Sequence, residues 1–172
     1  TLAHKDMEIM RGLQDTLIER NISNLAFNLS LAQDNRYGML DCSKPHRHKD
    51  TNASKEIGLW VDWLKAKGAG AITILGHSRG GNQVARYVAD KPDAAIRLAV
   101  LISPGTWKPK KLTRNYKKNY KKDLLPLLEK ARALVKTNQG DKLMEGVDIL
   151  YCPNTIVAAN TFVDYYNELP YL

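Results

Sequence analysis

Apolar residues recur along this chain with changing period, and the changes mark out the elements. Over residues 4–21, Met10, Leu13 and Leu17 fall at helical spacing and Ile9 and Ile18 widen the stripe, which predicts an amphipathic helix. Residues 24–30, Asn-Leu-Ala-Phe-Asn-Leu-Ser, predict a short strand bounded by polar residues. A polar loop follows to about residue 52, where Thr51 or Asn52 is placed to cap a second helix. In that helix Ile57, Trp60, Val61 and Leu64 follow the i, i+3, i+4, i+7 pattern, and Gly68 and Gly70 stop it. The apolar run Ile72 to Leu75 predicts a strand, residues 82–89 a helix and residues 96–103 a third strand. Farther on, Leu124, Leu127, Leu128, Ala131 and Val135 predict an amphipathic helix over 123–137, with another expected over 157–166.

The order helix, strand, helix, strand, helix, strand implies right-handed crossovers and a parallel sheet. The expected fold class is α/β, a three-layer parallel sheet with helices on both faces, followed by a helical cap after the last clear strand. Residues 1–104 are expected to form the core portion and residues 105–172 a cap of the same domain. At 172 residues the chain can bury a substantial core, and its 44% hydrophobic and 26% charged residues are those of an ordinary globular protein. No apolar run approaches the roughly 18 residues that a membrane-spanning helix needs.

Between the second and third expected strands lies Ile74-Leu75-Gly76-His77-Ser78-Arg79-Gly80-Gly81. This is Gly-x-Ser-x-Gly between a strand and a helix, the arrangement that holds a serine hydroxyl out on a sharp turn. Gly76 and Gly80 would flank the serine because side chains there would collide with the neighbouring strand and helix. Neither G-x-G-x-x-G nor G-x-x-x-x-G-K-[ST] can be laid on these residues, which argues against a dinucleotide or phosphate loop.

The segment resembles the nucleophile elbow of the α/β-hydrolase superfamily, which includes esterases, lipases, thioesterases and dienelactone-hydrolase-like enzymes. Gly-His-Ser-Arg-Gly-Gly also resembles the chlorophyllase elbow, although six residues do not assign a substrate. The resemblance extends more loosely from Thr1 to about Pro104. It implies that Ser78 is the nucleophile toward a small-molecule ester or related acyl substrate, with no cofactor. It also implies an oxyanion hole made by the backbone N–H of Arg79 and by a second donor near Thr1 or Leu2. Insertions after the sixth strand of that family shape the substrate pocket, which would put Tyr151, Phe162, Tyr165 and Tyr166 near it.

A serine nucleophile needs a base, usually histidine, oriented by a carboxylate, and the family order is Ser, acid, His. None of the four histidines, His4, His46, His48 and His77, follows Ser78. Asp141, Asp148 and Asp164 follow it without a convincing strand pattern to place them. Two explanations stay open. In one, the sequence is a piece of a longer hydrolase whose acid and base lie elsewhere, so that the isolated chain is inactive. In the other, the chain uses His46 or His48 as a relocated base, or binds without hydrolysing. The first is the expectation carried forward.

Residues 108–122 hold eight basic side chains and no acidic one, so the rest of the chain balances 18 basic against 18 acidic residues and this run carries the whole formal charge of +8. The favoured expectation is a solvated helical face with Tyr116 and Tyr120 turned inward. The alternative is a non-catalytic α/β domain that binds an anionic ligand or partner through this run. No nucleic-acid-binding motif accompanies it, so nucleic acid is not the expected partner. Cys42 and Cys152 either remain thiols in a cytoplasmic protein or form a disulfide, which would imply export. Cys42, His46, His48 and Asp50 match no common zinc spacing, and no metal is expected.

Overall fold

Three helices of this chain end in the same way, and the backbone explains why each stops where it does. Helix α1 (Glu8–Glu19) is followed by Asn21 at φ 58°, helix α2 (Ala53–Ala66) by Gly68 at φ 89°, and helix α5 (Leu124–Lys136) by Asn138 at φ 56°. In each, the amide two residues past the helical cap returns to a carbonyl in the last turn: Ile22 to Leu17, Ala69 to Leu64 and Gln139 to Leu134, at 2.9, 3.0 and 2.8 Å. These left-handed caps satisfy carbonyls that the helix leaves over.

The computed structural model describes residues 4–105 and 109–167. It divides into two compact units, Thr1–Asp41 and Cys42–Leu172. In the first, α1 is followed by a segment that was expected to be a strand over 24–30 and is not one. No ladder forms there among the described residues. Side chains hold the segment instead. Asn28 accepts the Lys5 amide at 2.7 Å and donates to the Arg36 carbonyl at 3.1 Å, while the Arg36 guanidinium donates to the carbonyls of Leu29 and Gly38, each at 2.8 Å. An extended run becomes a strand only where another lies beside it, and none does among the described residues of this unit.

The second unit is mixed α/β. After a 3-10 turn (Asp50–Asn52) and α2 come strand β1 (Ile72–His77), helix α3 (Arg79–Asp90) and strand β2 (Ile96–Ile102). β1 and β2 run parallel, with Leu75 opposite Val100 and His77 opposite Ile102, and α3 is the crossover between them. Among the described residues this parallel sheet has two strands. Helices α4 (Pro109–Tyr120) and α5 then lead to an antiparallel pair, β3 (Leu143–Ile149) and β4 (Cys152–Ala158), and to helix α6 (Ala159–Tyr166).

Two expectations for the C-terminal region are corrected here. The region beyond residue 105 is not purely helical, and the helix expected over 157–166 begins only at Ala159, because Val157 and Ala158 belong to β4. β3 was obscured by its own irregularity. Its register shifts between Met144 and Val147, where Gly146 adopts φ 66°, and it buries the polar Asp148, so no simple alternation survives in the sequence.

β3, β4 and α6 supply the best-buried part of this unit, with Ile149, Val157 and Phe162 fully enclosed. The segment that begins at Cys42 runs along β4. Cys42 is disulfide-bonded to Cys152 with Cα atoms 5.2 Å apart, and Thr155 donates to the Cys42 carbonyl at 2.9 Å. The His46 amide donates to Ile156 at 2.8 Å, and Ala158 returns a bond to the His46 carbonyl at 2.9 Å. What reads as a polar loop is therefore fastened along a strand edge. No described helix is long and apolar enough to cross a membrane.

Candidate functional site

The β1–α3 turn is built from residues that leave it little freedom. Ile72, Thr73 and Ile74 favour an extended backbone and carry the chain to Gly76. A β-carbon on Gly76 would lie 2.2 Å from the Gly80 carbonyl oxygen and 2.7 Å from the Gly81 nitrogen, so only glycine fits. Gly81 is also tight, its absent β-carbon falling 3.2 Å from both the Gly76 oxygen and the Pro104 side chain. Between these contacts the chain reverses at Ser78, which sits at φ 52°, ψ −123°. That is a left-handed conformation that a serine adopts only under constraint from its surroundings.

The constraint is visible on both sides of the turn. The Ser78 amide donates to the Ile102 carbonyl at 2.8 Å, extending the parallel ladder past the end of β1, and the Ser78 carbonyl accepts the Gly81 amide at 2.9 Å. Asn82 fastens the loop after β2 to the same helix. Its Nδ2 donates to the Gly105 carbonyl at 2.6 Å and its Oδ1 accepts the Gly105 amide at 2.8 Å. The Ser78 side chain is exposed, and among the described residues its hydroxyl makes no hydrogen bond.

Arg79 opens α3, so its backbone amide belongs to the first turn, at the positive end of the helix dipole. Its side chain does not reach into solvent. The guanidinium lies 4.9 Å above the Tyr165 ring, and Nη1 is 3.6 Å from Asp50 Oδ1. Asp50 is itself buried and accepts from Gln83 Nε2 at 2.7 Å and from Arg86 Nη1 at 3.2 Å. Arg79, Gln83 and Arg86 stand at i, i+4 and i+7 on one stripe of α3, and together they grip one carboxylate delivered by the 3-10 turn.

Around that carboxylate the packing is aromatic. Tyr165 meets His48 edge to face at 5.3 Å, and His48 meets His46 at 5.9 Å. The Tyr165 hydroxyl is buried without a hydrogen-bond partner among the described residues. Burial, and then the charge of Asp50, push its ionisation far above the ordinary tyrosine value.

The structure thus brings Ser78, Gly76, Gly80 and Arg79 together at one turn and places His46 and His48 in the packing beside Tyr165 rather than in hydrogen bonds to Ser78. Thr1 and Leu2, named for the second oxyanion donor, lie outside the described residues. His77 is the last residue of β1 and is half-buried. The three later aspartates are engaged elsewhere. Asp148 pairs with Lys122 at 3.0 Å and accepts the Asn154 amide at 2.8 Å, Asp164 holds the Thr51 hydroxyl at 2.6 Å, and Asp141 accepts from Asn160 at 3.4 Å.

Of the candidate pocket aromatics, Tyr151 is exposed, while Phe162 and Tyr166 pack with Tyr116. Cys42, considered as a metal ligand, is committed to the disulfide. The Asp50 network was missed in the sequence. Its one signal was the polar stripe Arg79, Gln83, Arg86 on a helix whose other buried residues are Gly80, Gly81, Asn82, Val84 and Tyr87. No family model, no curated protein and no solved structure matches the chain.

Proposed function

We propose that this protein is a serine hydrolase of the α/β-hydrolase type, acting on a carboxylic ester or related acyl bond. The observation that carries this is the backbone of Ser78: an exposed hydroxyl at φ 52°, ψ −123° between a parallel strand and a helix, where Gly76 has no room for a side chain. Strain of this kind costs about 1–3 kcal/mol and persists where a side chain must be presented to a ligand. In the proposed reaction Ser78 Oγ attacks the acyl carbon and its proton passes to a base. The oxyanion of the tetrahedral intermediate is held by the Arg79 amide, at the first turn of α3. Such a donor is commonly worth about 3 kcal/mol in the barrier.

Among the described residues no histidine or carboxylate is bonded to Ser78, and on this reading the isolated chain is expected to turn over no ester. A larger, three-layer sheet fits the same reading. Parallel sheets are stable when covered on both faces, whereas β2 leaves Leu98 55% exposed. Residues 105–172 would then form the cap. The Cys42–Cys152 disulfide favours an oxidising, extracytoplasmic compartment.

The test is hydrolysis of short p-nitrophenyl esters by the longest natural polypeptide containing this sequence. Activity lost in Ser78→Ala supports the proposal, and activity retained in that variant, or absent from the wild type, overturns it.

A further inference from the structure

Helix α4 and the two residues after it carry seven of the eight basic side chains of residues 108–122 and no acid. Tyr116 is buried and donates to the Asp148 carbonyl at 3.2 Å, and the Tyr120 hydroxyl donates to the Leu150 carbonyl. These two contacts fix which side of α4 faces the protein. Lys111, Arg114 and Lys118 then fall at steps of three and four on the opposite side, all exposed, and Lys121, also exposed, follows just past the helix end at φ 59°. At 1.5 Å per residue the helical part of the line, from Lys111 to Lys118, runs for about 10 Å. Two further cations beside it are taken: Lys117 pairs with Asp123 at 2.9 Å, and Lys122 pairs with Asp148 at 3.0 Å and donates to the Gly146 carbonyl at 2.8 Å. The four in the line have no acidic partner among the described residues.

An ordinary solvated helix mixes its charges, and the neighbouring helices do so. α2 sets Glu56 and Asp62 among Lys55 and Lys65, and α5 sets Glu129 among Lys130, Arg132 and Lys136. α4 has no acid, so its like charges at i+3 and i+4 repel and weaken the helix. A helix kept against that penalty, its tyrosines anchored inward, is what a surface for an anionic partner requires.

The rest of the exposed face identifies the partner. Among its described side chains it holds no exposed apolar residue to enter a bilayer, and Tyr116 and Tyr120 are turned inward rather than free to stack on bases. Beside the cations stand the exposed amides of Asn115 and Asn119, one turn apart. Point charges flanked by neutral hydrogen-bonding groups match a chain of anionic groups interspersed with hydroxyls.

We infer that the exposed cations Lys111, Arg114 and Lys118 of α4, with Lys121 just past its end, form a binding surface for an anionic polysaccharide, in addition to the proposed hydrolytic site and independent of it. The test uses this chain, with heparin as the probe, in a binding titration at two salt concentrations. With four ionic contacts and roughly 0.7 counterions released per contact, affinity should fall about fifty-fold between 50 and 200 mM salt. Two charge-matched variants separate the stripe from net charge. One carries Lys111→Gln, Arg114→Gln, Lys118→Gln and Lys121→Gln; the other carries Lys55→Gln, Lys91→Gln, Lys130→Gln and Lys136→Gln. The first is expected to lose nearly all heparin binding and the second to keep it. Equal loss in the two variants overturns the proposal, because net charge alone would then account for binding. So does tighter binding to single-stranded RNA or to anionic phosphatidylserine vesicles than to heparin.

Discussion

Replacing Ser78 with glycine should make the protein more stable. Serine at φ 52°, ψ −123° occupies a sparsely populated region, which costs about 1–3 kcal/mol, whereas glycine enters positive φ freely. Little is lost in exchange, since the side chain is exposed and its hydroxyl makes no hydrogen bond among the described residues. Against the relief stands the greater freedom of glycine in the unfolded chain, about 0.5–1 kcal/mol. The net gain is about 1 kcal/mol, which for a chain of this size raises the melting temperature by roughly 2–4 °C. Ser78→Ala keeps the strained β-carbon and should stay within about 0.5 kcal/mol of wild type. Urea denaturation followed by circular dichroism, fitted with a common slope, resolves both values. A Ser78→Gly variant less stable than wild type, or a Ser78→Ala variant destabilised by more than about 1 kcal/mol, would show that the hydroxyl serves the fold, and the argument from strain would fail.

Three further outcomes follow from the packing. Gly76→Ala must drive the first turn of α3 away from β1 by about an ångström and should cost about 3 kcal/mol, the upper end of overpacking penalties; Gly12→Ala, with nothing within 4 Å of the added carbon, should be neutral or slightly stabilising in the same denaturation assay. Asp50→Ala strips the buried partner from Arg79, Gln83 and Arg86 and should cost about 3 kcal/mol, while Asp50→Asn, which keeps an acceptor for Gln83, should cost less; equal stability of all three proteins would dissolve the network. Tyr116, Tyr165 and Tyr166 are held protonated chiefly by burial, above the ordinary value of 10.0 that they regain on unfolding. The unfolded chain therefore binds fewer protons above pH 10, so stability should fall with rising pH there, and these three should ionise together with unfolding when absorbance at 295 nm is followed.

The turn at Ser78 was legible because its requirements are local. Glycines on either side, a β-branched run before and a helix after are sequence-adjacent, and each has one physical purpose. Most helices were legible for the same reason, down to the glycine that ends α2, whereas the start of α6 was not, because Val157 and Ala158 pair in β4. What escaped depends on partners distant in sequence. Residues 24–30 have strand composition but no neighbour to pair with among the described residues of their unit. β3 hides behind a bulge at Gly146 and a buried Asp148, whose charge is met by Lys122 and Asn154. Asp50 looked like part of a polar loop, and only the fold places it against three α3 side chains that lie 29 to 36 residues later.

The most direct measurement is covalent. The longest natural polypeptide containing this sequence, treated with a fluorophosphonate probe and digested, should carry the adduct on the peptide containing Ser78 and on no other, and Ser78→Ala should abolish it. An adduct that survives that substitution, or a wild-type protein that takes up no probe while native, would contradict the assignment of Ser78 as an activated nucleophile.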